Sequence, residues 1–121
     1  MIELETFSLY KILKNKDVEL LSKTREDYYT GYNLAIYKKI MNYFSANQKL
    51  PTVDEFSSLS SDVVILNYFS NNVLDPDYSD IIMGGDFIVK HLEDNYTKRN
   101  VLTKLETILD TFEIAEASEI A

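Results

Sequence analysis

The sequence predicts an all-α fold, a compact bundle of about six helices that ends in a long helix, the first arm of a helical hairpin. Only 3 Gly and 2 Pro occur among the 121 residues, so few turns are obligatory. Apolar residues recur at three- and four-residue spacings along most of the chain. Hydrophobic residues make up 45% and charged residues 26%, which is typical of a globular protein, and the length suits a single domain.

Residues 2–13 are predicted to form the first helix, because the apolar residues Ile2, Leu9, Ile12 and Leu13 can share one face. Asn15 is a natural break after it. Residues 16–21 then predict a short second helix.

Residues 24–47 contain the clearest helix of the first half, in which Ile36, Ile40 and Phe44 recur every four residues. We expect it to begin near Thr30 or Asn33, since Gly31 would weaken it if internal. The preceding Asp27-Tyr28-Tyr29 is predicted to be a loop that places an aromatic ring in the core.

Pro51 ends the preceding connector, and Thr52 and Glu55 then fit a capping box, with Thr52 as N-cap and Glu55 at the third helical position. Residues 63–69 are ambiguous, because their β-branched start is also typical of a buried strand. Ser60 or Ser61 as N-cap, with helices on both sides, favours a buried helix.

Residues 71–79 are predicted to be a loop around Asp75-Pro76, which would complete a helical head of residues 1–79. A long helix is predicted from Asp80 to about Ala117, with Gly84-Gly85 marking a helix start, a kink or a hinge. Its apolar residues are interpreted as one stripe, longer than the head needs, so part of it is expected to form a subunit contact. The stripe comprises Ile88, Leu92, Tyr96, Leu102, Leu105, Leu109 and Phe112.

Arg99 lies within this stripe. An unpaired buried charge is costly, so Arg99 is expected to form a buried pair with a carboxylate or a carbonyl.

The charge is unevenly distributed. The net charge is −8, with 8 basic and 6 acidic residues in 1–50 (+2) against 4 basic and 14 acidic residues in 51–121 (−10). A polyanion such as DNA would be repelled by the second segment, so strong direct DNA binding is not expected, whereas a basic protein partner fits. No apolar run approaches the ~20 residues of a membrane span, and the acidic start is unlike a secretory signal, so a cytoplasmic protein is expected.

Residues for catalysis or metal binding are scarce. With no Cys and a single His, His91, disulfides and thiolate or multi-imidazole metal sites are excluded, and no phosphate-binding glycine motif occurs. His91 has no nucleophile beside it and is interpreted as a structural histidine. Asp75 and Asp77 begin like a calcium loop, but Asp80 stands where the loop needs Gly and Asp86 where it needs Glu. We therefore predict no catalytic, metal or cofactor site.

Nine tyrosines are many for this length, and five of them, Tyr28, Tyr29, Tyr32, Tyr37 and Tyr43, cluster in the first half. Stacking on single-stranded nucleic acid would need more Lys and Arg between the rings than Lys38 and Lys39 supply. We expect these rings to pack in the core with their hydroxyls at the surface, or else to serve an interface.

Four short motifs follow one another along residues 2–115. They are Asp27-Tyr28, then Ile36-Tyr37-Lys38-Lys39-Ile40, then the helix start Pro51-Thr52-Val53-Asp54-Glu55-Phe56, then Tyr96-Thr97-Lys98-Arg99-Asn100-Val101-Leu102. This order resembles the N-terminal domain of DnaB-type replicative DNA helicases, hexameric enzymes of bacteria and tailed phages, and within them the T4-like phage branch. The chain departs from the family because the ATP-hydrolysing motor is missing and the second arm of the hairpin is missing or cut short.

The resemblance implies a scaffold role. In this family the domain forms a collar on the hexamer, often as a trimer of dimers, and couples the motor to a primase and sometimes to a loader. The expected partners are thus further copies of this chain and a primase or helicase loader, with DNA reached only through the full-length helicase in the host cytoplasm. ATP and Mg would belong to the missing motor, with no cofactor in this chain.

Two alternatives remain open. One is a free-standing helical adaptor, such as a helicase loader or a phage protein that binds a host factor. The other is a small metal-dependent hydrolase that uses carboxylates.

Overall fold

The computed structural model describes the backbone of residues 3–120 and the side chains of residues 3–111. Regular structure in this range is entirely helical, without strands, which confirms the predicted all-α class and the long final helix. A 3₁₀ turn, Glu26–Tyr28, follows the second of six α-helices, and a π-helical segment, Phe69–Leu74, extends the fifth. The helices are α1 (Leu4–Lys14), α2 (Val18–Lys23), α3 (Gly31–Asn47), α4 (Val53–Ser58), α5 (Val63–Tyr68) and α6 (Gly85–Ile120).

The first helix ends at the predicted break, Asn15. Lys16 turns into the left-handed region (φ 56°), and the Asp17 backbone N–H donates to the Ile12 carbonyl at 3.2 Å, which closes the helix end. The Asp17 carboxylate then accepts from the Leu20 N–H at 3.0 Å and caps α2. The second helix therefore starts two residues later than predicted.

Both aromatic rings before α3 are buried, whereas the sequence predicted that one aromatic ring would lie in the core. Tyr28 and Tyr29 are 6% and 3% exposed, and the Tyr29 ring stacks on Tyr37 at 4.3 Å. Thr30, one of the two predicted starting points, is the N-cap of α3, and Gly31 follows with φ 56°, a conformation that glycine adopts without strain.

The fourth helix begins with the predicted capping box. The Glu55 N–H donates to the Thr52 hydroxyl at 3.0 Å, and the Thr52 N–H donates to the Glu55 carboxylate at 3.1 Å. The Tyr43 hydroxyl also donates to this carboxylate, at 2.5 Å. These hydrogen bonds, the one from Tyr43 first, stabilise the charged form and lower the pKa of Glu55 to about 2.

The ambiguous segment 63–69 is helical, but two details of the prediction are wrong. The N-cap is Asp62, not Ser60 or Ser61, because its carboxylate accepts from two backbone N–H groups of the first turn, at 3.0 and 3.4 Å. The helix is also not buried, since Val63 and Val64 are 65% and 56% exposed. Its first turn faces away from the core.

Two side chains of the π-helical segment that follows α5 are buried. Residues 71–74, predicted as loop, belong to the π-helical segment, in which the Asp75 N–H donates to the Ser70 carbonyl at 2.9 Å. This wide turn places both Phe69 and Val73 in the core, with the Phe69 ring 4.5 Å from that of Phe56.

A buried amide links three helices inside this core. The Asn33 side-chain NH₂ donates to the Glu3 carboxylate at 3.0 Å, and its carbonyl accepts from the Tyr68 hydroxyl at 2.9 Å. Asn33 is only 2% exposed, so both of its polar ends need these partners. The start of α1, α3 and α5 are thereby fixed relative to one another.

Two tyrosine hydroxyls are buried, contrary to the expectation that the hydroxyls would lie at the surface. The Tyr29 hydroxyl lies 3.0 Å from that of Ser8, and the Tyr37 hydroxyl 3.0 Å from that of Thr24. Burial raises the pKa of Tyr29 and of Tyr37, because the phenolate would lose its hydration. Small hydroxyl residues on neighbouring elements supply the partners that water would otherwise provide.

Candidate interface on the long helix

The long helix starts at Gly85, so the glycine pair marks a helix start. The prediction that residues 80–84 belong to this helix is wrong. Its first turn is anchored to α2, where the Asp86 carboxylate accepts from the Lys23 ammonium at 2.8 Å. This ammonium lowers the pKa of Asp86. A carboxylate in the first turn also interacts favourably with the helix dipole.

The next turns of α6 pack against the chain's own helices. Ile88 and Leu92 are fully buried, and the partly buried Tyr96 ring lies 6.1 Å from the Tyr28 ring. The Arg25 guanidinium lies over both rings, 5.3 Å from the Tyr28 centroid and 5.6 Å from the Tyr96 centroid. Ile88 and Leu92 therefore have no exposed surface for a second subunit. The sequence placed them in the subunit contact, but they belong to the core of the single chain.

Arg99 is the last side chain of α6 that hydrogen-bonds to the preceding elements among the described residues. Its guanidinium donates to the Asp27 carbonyl at 3.1 Å, which is one of the two kinds of partner expected. The site is partly exposed, so the predicted burial of this pair is wrong. Arg99 lies where the helix leaves the bundle, and water reaches the guanidinium there.

Beyond Arg99, every described side chain, residues 100–111, is exposed. Leu102, Leu105 and Leu109 of the predicted contact are 58%, 49% and 60% exposed. Val101 and Ile108, which the sequence interpretation did not include, are 50% and 62% exposed. The remaining residue of the prediction, Phe112, lies outside the described side chains.

The predicted stripe drifts around the helix but is not split into two separate faces. At about 100° per residue, Leu102 lies about 120° from Tyr96 but only about 40° from the buried Ile88, two heptads earlier. The leucines are exposed because α6 continues beyond Arg99, its last side chain that hydrogen-bonds to the bundle among the described residues. We call the exposed set the α6 seam, which consists of Val101, Leu102, Leu105, Ile108 and Leu109.

The α6 seam has coiled-coil spacing. Leu102, Leu105 and Leu109 are three and four residues apart, and Val101, Leu105 and Ile108 are four and three apart, both of which are heptad patterns. This spacing was the signal in the sequence that could have identified Val101 and Ile108.

The opposite side of the same turns is polar. The hydroxyls of Thr103, Thr107 and Thr111 each donate to the carbonyl four residues earlier, at 3.0, 3.0 and 2.9 Å. The projecting segment is therefore amphipathic, with one face suited to another apolar helix.

The groups that the sequence singled out for possible chemistry are dispersed. His91 is partly buried with its ring 4.2 Å from that of Phe87. Asp75, Asp77 and Asp80 are exposed, and Asp77 accepts from the Ser79 N–H at 2.9 Å. Within residues 3–111, no three or more His, Cys, Asp or Glu side chains are arranged to hold a metal ion.

Over the same part of the chain, no helix combines the length and apolar character needed to cross a membrane. Comparison of the chain with protein-family models, curated proteins and solved structures finds no match. The α6 seam is suited to contact another apolar surface, because its side chains are apolar, regularly spaced and carried on one helix.

Proposed function

We propose that this chain is a protein-interaction domain that associates with a second copy of itself through the α6 seam. The observation that carries the proposal is the exposure of five apolar side chains, 49% to 62% each, at heptad spacing beyond Arg99 and its hydrogen bond to the bundle. A helix with no packing partner is marginally stable in water, and apolar residues in heptads are covered when two such helices pair. A second copy carries the same seam, and a two-fold interface is self-complementary.

We propose further that the domain is the N-terminal collar of a DnaB-type hexameric replicative helicase, where it would hold protomers together and bind a primase or a loader. Two of the motifs that carry the resemblance are in contact in the fold. Arg99 donates to the Asp27 carbonyl, and the Tyr96 ring lies beside Tyr28. This contact gives both motifs one structural purpose, which is to fix the base of α6.

In this proposal the chain is non-catalytic, and ATP hydrolysis and DNA unwinding belong to the motor of the full-length protein in the host cytoplasm. The net charge of −8 supports a role that does not require this domain to bind DNA itself.

Self-association is tested by analytical ultracentrifugation of the 121-residue chain, extended to millimolar concentration because two heptads make a short contact. Replacing Leu102→Asp together with Leu105→Asp is expected to give a monomer with unchanged helicity, since both side chains are exposed in the single chain. The matched control is Thr103→Asp with Thr107→Asp, which adds the same charge to the polar side of the same turns. A sedimentation mass equal to that of the wild type for the leucine variant would remove the proposal.

The helicase assignment is tested separately by reading the gene beyond the codon for Ala121. A continuing frame with Gly-x-x-x-x-Gly-Lys-Ser/Thr supports the collar, because that motif cradles the phosphates of ATP. A stop codon at or near this position supports the free-standing adaptor instead.

A further inference from the structure

A second candidate binding surface lies between α1 and the loop that precedes α6. There a groove of about 480 Å³ opens between Phe7, Tyr10 and Lys11 on one side and the loop on the other. We call it the loop groove, and its loop side is formed by residues 76–79 and 81–83. None of its residues belongs to the α6 seam.

The floor of the loop groove is aromatic and fixed in place. The Tyr78 ring lies 4.5 Å from Tyr10 and 5.2 Å from Phe7. The Tyr78 hydroxyl donates to the Asn72 carbonyl at 3.1 Å, and Tyr78 is only 8% exposed. An apolar ligand would therefore meet a preformed surface, so little ordering cost would accompany binding.

The rim of the loop groove carries the most exposed large apolar side chain among the described residues. Ile82 is 97% exposed, while its neighbours Ile81 and Met83 are partly buried against the core. A single exposed isoleucine is common, but Ile82 also lines a groove with an aromatic floor, so a ligand in the groove could contact both.

The charge around the groove is negative. Asp75, Asp77 and Asp80 are exposed along the loop, and they take part in none of the ion pairs of the described residues. The one cation that lines the groove in that part of the chain, Lys11, donates to the Met83 carbonyl at 3.1 Å. Asp77 is the acidic residue that lines the groove, and Asp75 and Asp80 flank lining residues in the sequence, so a ligand meets an aromatic floor beside an acidic loop.

We propose that the loop groove docks a basic amphipathic segment of a partner protein, whose apolar side chains contact Ile82 and the aromatic floor while its Lys or Arg side chains face the aspartates. The proposal rests on the proposed role as an interaction domain and names the chemistry of its partner. Complementary charge favours encounter with such a segment and disfavours nucleic acid. The two surfaces share no residue, so pairing of two chains through the α6 seam does not use the residues that would bind the basic segment.

The test uses the ¹⁵N-labelled chain and two synthetic amphipathic peptides, one of leucine and lysine and one of leucine and glutamate. The lysine peptide is expected to shift amide signals of Lys11 and of residues 76–83, and the glutamate peptide is not. Ile82→Asp is expected to weaken binding at least about tenfold, and the bulk of its side chain lies in solvent, so folding is retained.

The electrostatic part is tested with Asp77→Asn and Asp80→Asn together, which should weaken binding and reduce its salt dependence. The matched control is Glu93→Gln with Asp94→Asn, two exposed α6 residues that change the net charge equally. The proposal is overturned if the shifts map elsewhere, if a single-stranded DNA oligonucleotide gives the same shifts, or if Ile82→Asp binds as the wild type does. It is also overturned if dilution without peptide moves the groove signals, which would identify a second copy as the occupant.

Ultracentrifugation of Ile82→Asp separates the two proposals. Its self-association is expected to equal that of the wild type even though peptide binding is lost. A wild-type chain that stays monomeric yet binds the lysine peptide in the groove would contradict self-association through the α6 seam but not peptide binding in the loop groove.

Discussion

Residues 3–99, the anchored region, and residues 100–111, the projecting segment, differ in how their apolar side chains are used. In the anchored region, Leu9, Ile36 and Leu92 are fully buried among neighbouring helices. In the projecting segment, the apolar residues are about half exposed or more, although the amino-acid types are the same. Apolar spacing therefore specifies a face to be covered but not whether the same chain or another one covers it.

Polar groups differ in the same way. In the anchored region, side-chain hydrogen bonds connect residues far apart in sequence, such as Asn33 with Glu3 and Ser8 with Tyr29. In the projecting segment, the described side-chain hydrogen bonds are those of threonines to their own helix. Such local hydrogen bonds fix the orientation of a side chain on its own helix, but they do not fix the helix relative to other elements.

Truncating a leucine should affect the two regions very differently, because only in the anchored region does it leave a cavity. Leu92→Ala is expected to lower the free energy of unfolding by about 2–5 kcal/mol, because it empties a fully buried site. Leu105→Ala, in dilute monomer, is expected to change it by about 0.5 kcal/mol or less. Urea unfolding followed by circular dichroism measures both, and equal losses would contradict the division into two regions.

The buried amide gives the next effect. Asn33→Ala is expected to cost about 1–3 kcal/mol, since it leaves the Tyr68 hydroxyl without its acceptor in a partly buried position. Asn100→Ala, at an exposed position of the projecting segment, is the control and should be nearly neutral. Thermal unfolding distinguishes them, and a neutral Asn33→Ala would mean that water replaces the network.

A buried tyrosine of the anchored region should make the free energy of unfolding depend on pH in alkaline solution. The pKa of Tyr29 is raised by burial, so its contribution to stability is fully present below about pH 10, the unfolded value, and is lost as the pH rises further. Tyr29→Phe is expected to cost about 1 kcal/mol at neutral pH for the lost hydrogen bond and to reduce the alkaline loss of stability. The control is Tyr32→Phe, whose ring is 48% exposed. Identical alkaline slopes for Tyr29→Phe and wild type in urea titrations would refute this assignment.

The smallest effect concerns the capping box at acidic pH. The pKa of Glu55 is about 2 in the folded chain against an ordinary value of 4.5. Its stabilisation is therefore present above pH 4.5 and is lost as the pH falls toward 2. Glu55→Gln should flatten this part of the melting-temperature profile, and Glu106→Gln in the projecting segment should leave it unchanged. A wild-type profile that is already flat between these pH values would contradict the prediction.

Local signals explain most of what the sequence predicted correctly. The Thr52 capping box and the break at Asn15 depend on backbone groups within a few residues, so the sequence contains both partners of each interaction. The start of α3 is different, because the Thr30 backbone N–H and hydroxyl donate to the carboxylate of Glu5, which is distant in sequence. The cap of α5 was assigned to the wrong residue because several candidates stand in a row. Asp62 was selected by its position relative to the first free N–H groups.

The candidate interface was predicted in part. Leu102, Leu105 and Leu109 are exposed as a contact surface requires, whereas Ile88 and Leu92 belong to the core. The stripe was interpreted as one contact because the spacing of its apolar residues does not show that the bundle ends near Arg99. The groove beside Ile82 was missed because it joins residues about 70 positions apart, and the sequence offered only the triplet Ile81-Ile82-Met83 between acidic and glycine residues.

The helical class, the helix ends that local capping sets, and the apolar faces follow from the sequence, because they depend on spacing and on neighbours along the chain. Packing between distant segments settles which apolar residues of α6 are buried, places Asn33 and two tyrosine hydroxyls in the core, and brings Arg99 to the Asp27 carbonyl at the surface. Burial is a property of the packed arrangement. A side chain leaves water only where distant segments come together, and spacing along one helix does not specify that meeting.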